Sequence, residues 1–162
     1  MKHATNPVAS GAMALAVMAA CVLECLGGWA TAADGDADTV NPCKLITQAE
    51  AQSALGKPVK PGEFFDGMYR TCGFKPANGA TYYLSVSLFS IDKATFDKAD
   101  PRQFERAGGT NLDAFFLKGG NFLNVWHAGN QLQVQIHFGD NAGETGVKAA
   151  ELKLAAIAVT RF

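Results

Sequence analysis

Two cysteines and two histidines are the side chains in the folded part of this chain that are best suited to chemistry. Cys43 and Cys72 would make either a reactive thiol with a partner or a structural disulfide. The sequence contains no C-x-x-C, H-E-x-x-H or G-x-S-x-G arrangement. A structural bridge is the favoured interpretation, because paired cysteines of this kind are typical of a small exported domain. His127 and His137 fall on opposite faces of one predicted hairpin, where they cannot share a metal or a substrate. The chain is therefore predicted to be a non-enzyme, without catalytic residues, metal ligands or cofactors.

Carboxylates are the second candidate chemistry, because a glycosidase needs two of them at a defined gap in a cleft. The acids of the folded part are instead scattered over predicted helices and loops, as is typical of solvated faces: Asp66, Asp92, Asp97, Asp100 and Glu105. The run Asp34-Gly35-Asp36-Ala37-Asp38 begins like a calcium loop, but an EF-hand would need glycine at Thr39 and an acid at Leu45. We therefore interpret residues 34–40 as an acidic linker.

A binding surface is predicted on the hairpin from Asn121 to Phe138. A two-residue turn at Gly129-Asn130 places Val125 opposite Val134 on one face and Trp126 opposite Gln133 on the other. The second of these faces mixes aromatic rings with amides, and we take it as the candidate binding face: Phe122, Asn124, Trp126, Gln133, Gln135 and His137.

The strand predicted from Thr81 to Ser90 extends this candidate face if it joins the same sheet. Its members on that face would be Tyr83, Ser85, Ser87 and Phe89. Aromatic rings provide contact area, and amides provide hydrogen bonds of defined direction. This combination suits a protein interface or a glycan-binding platform. The alternative is that a helix or loop of this same chain covers Trp126 and Phe122.

The first 33 residues are predicted to be a signal peptide. Lys2 and His3 precede an apolar run from Gly11 to Leu23, which has the length of a signal-peptide core and is short for a membrane span. Ala30-Thr31-Ala32 is a site for ordinary signal peptidase. The protein is thus predicted to be periplasmic or secreted, with no membrane span after the leader is removed.

Lipidation at Cys21 is the alternative way of processing the leader. Met18-Ala19-Ala20-Cys21 resembles a lipoprotein box, with Met where Leu is usual. Ordinary cleavage removes Cys21 and Cys25 and leaves an even pair of cysteines, whereas lipidation leaves Cys25 as an orphan thiol. The cysteine count therefore favours cleavage by ordinary signal peptidase. Anchoring to an envelope membrane through Cys21 stays as the alternative location.

Capping and turn signals predict the elements that position these residues. Thr47 and Glu50 form a capping box for a helix from Gln48 to Leu55, which Gly56 ends. Strands are predicted at 59–65, 69–74, 81–90 and 113–118, an interrupted helical segment at 92–107, and an amphipathic helix at 144–162. The fold class is α+β: residues 41–162 form a single domain, in which helices pack on one face of a single antiparallel sheet with one disulfide.

The charge balance of the chain excludes some partners. It has 162 residues and a formal net charge of −1. Nucleic acids and anionic lipid surfaces are bound by clusters of Lys and Arg, which are missing from this sequence. We therefore expect no nucleic-acid partner.

The folded part carries several short motifs: Asn41-Pro42-Cys43-Lys44-Leu45-Ile46-Thr47, Glu50, Leu55-Gly56, Cys72-Gly73-Phe74, Leu112-Asp113-Ala114-Phe115 and Ala155-Ala156-Ile157-Ala158. In these motifs the chain from Asn41 to Phe162 resembles a class of exported bacterial domains of unknown function, many of them lipoproteins. This resemblance implies export, a Cys43–Cys72 bond and a sheet-and-helix domain, and it brings no catalytic residues. The expected function is that of a non-catalytic domain which binds a protein partner in the cell envelope, as an inhibitor, immunity-type or accessory protein. A periplasmic small-ligand-binding domain and a small envelope hydrolase are the alternatives.

Overall fold

The computed structural model describes residues 39–67, 69–79, 82–120, 122–138 and 144–162. The predicted signal peptide, the proposed lipidation site at Cys21 and residues 34–38 of the predicted linker lie outside the described residues. Within these ranges no helix is long and apolar enough to cross a membrane.

The described strands form one antiparallel sheet in the order β1-β2-β3-β7-β6-β5-β4. The strands are β1 (Glu63–Asp66), β2 (Arg70–Phe74), β3 (Tyr82–Ser90), β4 (Phe104–Arg106), β5 (Asp113–Leu117), β6 (Phe122–His127) and β7 (Asn130–Phe138). The helices are α1 (Gln48–Leu55), α2 (Lys93–Phe96) and α3 (Glu144–Ala158), with 3-10 turns at Pro42–Lys44 and Val159–Arg161. The predicted α+β class with one antiparallel sheet is confirmed.

Helices α1 and α3 pack on one face of the sheet, which we call the helix-covered face. The buried apolar side chains of β2, β3, β7 and β6 point to this side and form one cluster with Leu45, Leu55 and Leu154. On the strands these are Cys72, Phe74, Leu84, Val86, Leu88, Leu123, Val125, Leu132, Val134 and Ile136. Apolar burial of this kind is the main force that holds helices on a sheet.

The capping box of α1 is confirmed and also ties α1 to the C-terminus. Thr47 Oγ1 accepts from the Glu50 backbone N–H at 3.2 Å, and the Thr47 N–H donates to Glu50 Oε2 at 2.8 Å. Gly56 ends the helix with φ of +62°. Arg161 donates to both carboxylate oxygens of Glu50. This guanidinium, helped by the capping bonds, lowers the pKa of Glu50 to about 2.

The Cys43–Cys72 disulfide is present. It joins the 3-10 turn that precedes α1 to strand β2, across the helix-covered face. Because the bond closes a loop over a sequence separation of 29, it restricts the unfolded chain and fastens the β1–β2 side of the sheet to α1.

The prediction of a helical segment over 92–107 is wrong for most of its length. Only the single turn α2 is helical, and Asp92 caps it by accepting from the Thr95 N–H at 2.7 Å. Pro101 lacks the N–H that a helix interior needs, and Phe104 pairs with Leu117 to form the edge strand β4. The segment between β3 and β5 is therefore a loop with one helical turn and one short strand.

The hairpin of β6 and β7 is confirmed, but its predicted register is wrong by two residues. The turn is Ala128-Gly129, with φ of 45° and 79°, so Val125 lies opposite Leu132 and Trp126 opposite Gln131. Positive φ at both central residues belongs to the type I′ turn, where alanine is rarely found. Since side chains alternate with a period of two, a slip of two residues leaves each side chain on its predicted face.

Candidate functional site

The other side of the sheet, which we call the second face, carries the whole candidate binding face. The six predicted residues of β6 and β7 lie on it together, because Phe122 pairs with Gln135 and Asn124 with Gln133. The predicted extension by β3 is also found, since Tyr83 pairs with His137 and Phe89 with Gln131. One row of this face crosses all seven strands: Phe65, Thr71, Ser87, Gln133, Asn124, Phe115 and Arg106.

The covered half is the part of the second face formed by β4, β5 and β6. The loop after β3 lies over it, with the Phe96 ring 5.1 Å from the Phe115 ring. Lys93 Nζ sits 5.6 Å above the Trp126 ring and 2.9 Å from Asp113 Oδ2. The indole Nε1 of Trp126 is buried and has no hydrogen-bond partner among the described residues. Trp126 is thus half-buried, and the covering segment is the loop with α2.

The open half is the part of the second face formed by β1, β2, β3 and β7. Among the described residues three large hydrophobic side chains are exposed, and all belong to this half: Phe65 at 43%, Tyr69 at 55% and Tyr83 at 39%. Tyr83 stacks on His137 at 5.1 Å, and Tyr69 meets Phe89 edge-on at 4.6 Å. The exposed rings therefore stand at both ends of β3 and on the edge strand β1.

Small and uncharged residues form the floor between these rings. Thr71 Oγ1 and Ser87 Oγ share a hydrogen bond of 2.8 Å. Gly73 lies beneath the Phe65 ring, where a Cβ atom would come within 3.0 Å of the ring. With Ser85 these residues make a shallow trough in the sheet without charged side chains.

An amide cluster marks the border between the two halves. Asn124 Oδ1 accepts from Gln131 Nε2 at 2.7 Å and from Gln133 Nε2 at 3.2 Å. Asn124 is 6% exposed, so a buried carbonyl satisfied by two donors fixes the orientation of three neighbouring amides.

Two depressions flank this cluster. The first, of about 320 Å³, is lined by Tyr69, Phe89, Ser90, Ile91, Gln131 and Gln133. The second, of about 280 Å³, lies on the covered side and includes Phe96, Phe104, Phe115, Asn124 and Gln131. Gln131 and Ile91 line both depressions, so they form the wall between them.

The carboxylates near the second face are engaged in structural contacts. Burial opposes ionisation of Asp113, but the bonds from Lys93 and Arg106 outweigh it and hold the pKa of Asp113 below its usual range. Asp100 pairs with Arg102. Glu105 lies on the helix-covered side instead, where it pairs with Lys148 of α3. Across the described residues, no group of three or more His, Cys, Asp or Glu side chains is placed to hold a metal ion.

The two histidines lie on opposite faces of the sheet, as the alternation predicts. His127 is on the helix-covered side, where its ring meets Phe162 edge-on at 5.4 Å. His137 is on the second face and stacks on Tyr83. A site that needs both imidazoles is therefore not formed.

Glu151 is a buried acid that the sequence analysis missed. It lies in α3 with 0% exposure, and its Oε1 accepts from the Ile136 N–H at 3.0 Å. Its Oε2 is buried without a partner in the described part of the chain. Desolvation raises the pKa of Glu151 to about 7, although the Ile136 bond and nearby Lys148 oppose this. The signal was present, because Glu151 shares helical spacing with the apolar residues Val147, Leu154 and Ala155.

A comparison of the chain with models of protein families, with curated proteins and with solved structures found no match to any of them. The resemblance of residues 41–162 to exported bacterial domains stays a prediction.

Proposed function

We propose that residues 41–162 form an exported, non-catalytic domain that binds a protein partner in the cell envelope, in an inhibitor, immunity-type or accessory role. One observation carries the proposal: the exposed large hydrophobic side chains of the described residues, Phe65, Tyr69 and Tyr83, are grouped on the open half. Aromatic rings are enriched in protein interfaces, and a group of exposed rings on one surface is a mark of a binding site.

The distribution of charge supports a protein interface at this place. The floor residues Thr71, Gly73, Ser85 and Ser87 are neutral, whereas the ion pair of Glu63 and Lys75 lies at the edge strand. An uncharged centre with a charged rim is the usual anatomy of an interface. Association through such a centre should depend only weakly on salt concentration.

Export is supported by the disulfide. Bonds such as Cys43–Cys72 persist in oxidising compartments and are rare in a reducing cytoplasm. The signal peptide predicted for residues 1–33 would deliver the chain to such a compartment, as a periplasmic or secreted protein or, if Cys21 is lipidated, as an anchored one.

Site-specific photocrosslinking in cells tests the proposal. A benzoylphenylalanine side chain replaces Tyr83 in one variant and Phe65 in another, and the matched control carries it at Ala156, an exposed position on α3. We expect a discrete crosslinked protein from the first two variants and none from the control. A partner identified from the crosslink should bind the Tyr83→Ala variant about tenfold more weakly or worse.

The proposal would be contradicted if neither the Tyr83 nor the Phe65 variant gave a crosslink. It would also be contradicted if the Ala156 control gave the same crosslinked protein in equal amount. The thermal midpoint of each variant shows whether it is folded. Because both aromatic positions are exposed, we expect the midpoints to stay close to that of the wild type. A hydrolase function has no observation of comparable weight in its favour.

A further inference from the structure

We propose that the first depression, at the end of the open half, binds the ring of a neutral sugar. This site is lined by Tyr69, Phe89, Ser90, Ile91, Gln131 and Gln133. The inference goes beyond the protein-partner proposal, because it assigns a second class of ligand to one end of the same face. Tyr69 belongs to both surfaces, whereas Tyr83 and Phe65 do not line the depression. Photocrosslinking at these two positions and sugar binding near Gln131 can therefore succeed or fail independently.

The amide cluster supplies directed hydrogen-bond groups to this depression. Gln131 and Gln133 both use their Nε2 atoms to bond Asn124 Oδ1. Their carbonyl oxygens make no hydrogen bond to another described residue, and neither does the amide nitrogen of Asn124. Two neighbouring acceptors with fixed orientation suit a ligand that offers two neighbouring donors, and adjacent hydroxyl groups on a sugar ring have this arrangement.

The aromatic wall supplies the second feature that a sugar ring needs. Tyr69 and Phe89 form an edge-on pair at 4.6 Å, and Ile91 adds an apolar side chain next to them. Tyr69 is 55% exposed, so much of its ring is free to be covered. The C–H face of a pyranose is apolar and flat, and it packs on such a ring while its hydroxyls reach the amides.

Charge and size restrict the ligand further. No Asp, Glu, Lys or Arg lines the first depression, so a charged ligand would lose its hydration without gaining an ion pair. Its volume of about 320 Å³ is at the lower end of the range for small-molecule sites. The second depression, beyond Gln131, includes Phe104 and Phe115. A short neutral oligosaccharide that crosses Gln131 would place one ring in each depression.

The test measures binding of defined sugars to the isotopically labelled mature domain by NMR. The probes are cellotriose, maltotriose and the trimer of N-acetylglucosamine, each up to about 10 mM, a range that reaches weak single-site affinities. We expect at least one probe to shift the backbone amides of Gln131 and Gln133 and the ring protons of Tyr69. Gln131→Ala should weaken that binding at least about tenfold, because it removes an acceptor and a wall of the site.

Two variants make the result interpretable. Tyr69→Ala changes an exposed ring and should weaken sugar binding while the domain stays folded. Gln135→Ala is the control, since Gln135 lies on the same strand and face but does not line the depression, and it should bind as the wild type does. The proposal is overturned if none of the sugars shifts these resonances, if Gln131→Ala binds as well as Gln135→Ala, or if a neutral tetrapeptide binds there and the sugars do not.

Discussion

Phe65 and Phe115 are the same residue type in the same row of the same sheet face, yet one is exposed and the other is buried. Phe65 on β1 is 43% exposed, whereas Phe115 on β5 is 8% exposed. Phe115 lies beneath Phe96, and the Arg106 guanidinium carbon lies 4.7 Å from its ring centre. Above Phe65 lies the flexible amine of Lys75, 5.2 Å from the ring centre.

The difference comes from the loop after β3 rather than from the strands themselves. Asp92, Lys93 and Phe96 begin this loop and fold it back over β5 and β6. Strand alternation decides which face a residue occupies, but a segment elsewhere in the chain decides whether that face is covered. The second face is left uncovered in one half only. A partly apolar surface of this kind is better suited to bind a ligand than a uniformly polar surface is.

The matched pair Phe115→Ala and Phe65→Ala should show the largest contrast between the two halves. Phe115→Ala removes a buried ring and leaves a cavity under Phe96, so we expect a loss of about 3–4 kcal/mol in the free energy of unfolding. Phe65→Ala should lose less than about 1 kcal/mol, since its ring is already exposed to water. Denaturant unfolding of both variants measures the contrast. Equal losses would mean that Phe65 is also covered and that the open half does not exist.

The disulfide should affect the open half more than the covered half. Replacing Cys43 and Cys72 together by alanine releases a loop with a sequence separation of 29, and we expect a loss of about 3–4 kcal/mol on the chain-entropy model. Native-state hydrogen exchange then locates the effect. Amides of β1 and β2 should lose protection through local opening while those of β5 and β6 open only with global unfolding. A uniform loss over the sheet would contradict this localisation.

Local chemistry made some of the fold predictable from sequence. The capping box of Thr47 and Glu50 and the C-terminal Gly56 act within a few residues, so both ends of α1 were found. Alternation placed the candidate binding face on one side of the sheet for the same reason. The burial of Asn124 and Trp126 was not predictable, because it depends on a covering loop that carries no alternating pattern.

Two errors have specific physical causes. Phe96 and Phe104 have near-helical spacing, but Pro101 between them prevents a continuous helix and Phe104 joins the sheet. The Gly129-Asn130 pair looks like the better hairpin turn, yet the chain turns at Ala128-Gly129 and places a non-glycine residue at positive φ. The spacing of Glu151 along α3 was enough to predict that it is buried. Its contact with Ile136 could not be predicted from the sequence.

Glu151 contacts the end of β7 from the helix-covered side, where Ile136 pairs with β3 but no longer with β6. Its pKa rises from 4.5 to about 7 on folding, so the folded protein keeps a proton that the unfolded chain has lost. Stability is therefore greatest below pH 4.5 as far as this group is concerned, and it falls as the pH rises through about 7. We expect this group to cost about 3 kcal/mol at pH 8.

Glu151→Gln tests this pH dependence. The amide keeps an oxygen for the Ile136 N–H but cannot ionise, so the variant should be more stable than the wild type at pH 8 and should lose less stability between pH 5 and pH 8. Glu63→Gln is the control for the change in net charge, because it makes the same substitution at an exposed carboxylate. Unfolding by urea at several pH values measures all three proteins. Parallel curves for Glu151→Gln and the wild type would contradict the assignment.

The smallest expected effect lies at the turn that joins the two halves. Ala128, between β6 of the covered half and β7 of the open half, has φ of 45°, a conformation that costs alanine more than glycine or asparagine. Ala128→Gly should therefore stabilise the protein by about 0.5–1 kcal/mol, and Ala128→Asn by a similar amount, because Asn-Gly is the preferred type I′ sequence. Ala128→Val is the opposing variant and should destabilise it. If Ala128→Asn destabilised the hairpin instead, the turn would have to lie at Gly129-Asn130, and the register that places Asn124 beside Gln131 and Gln133 would be wrong.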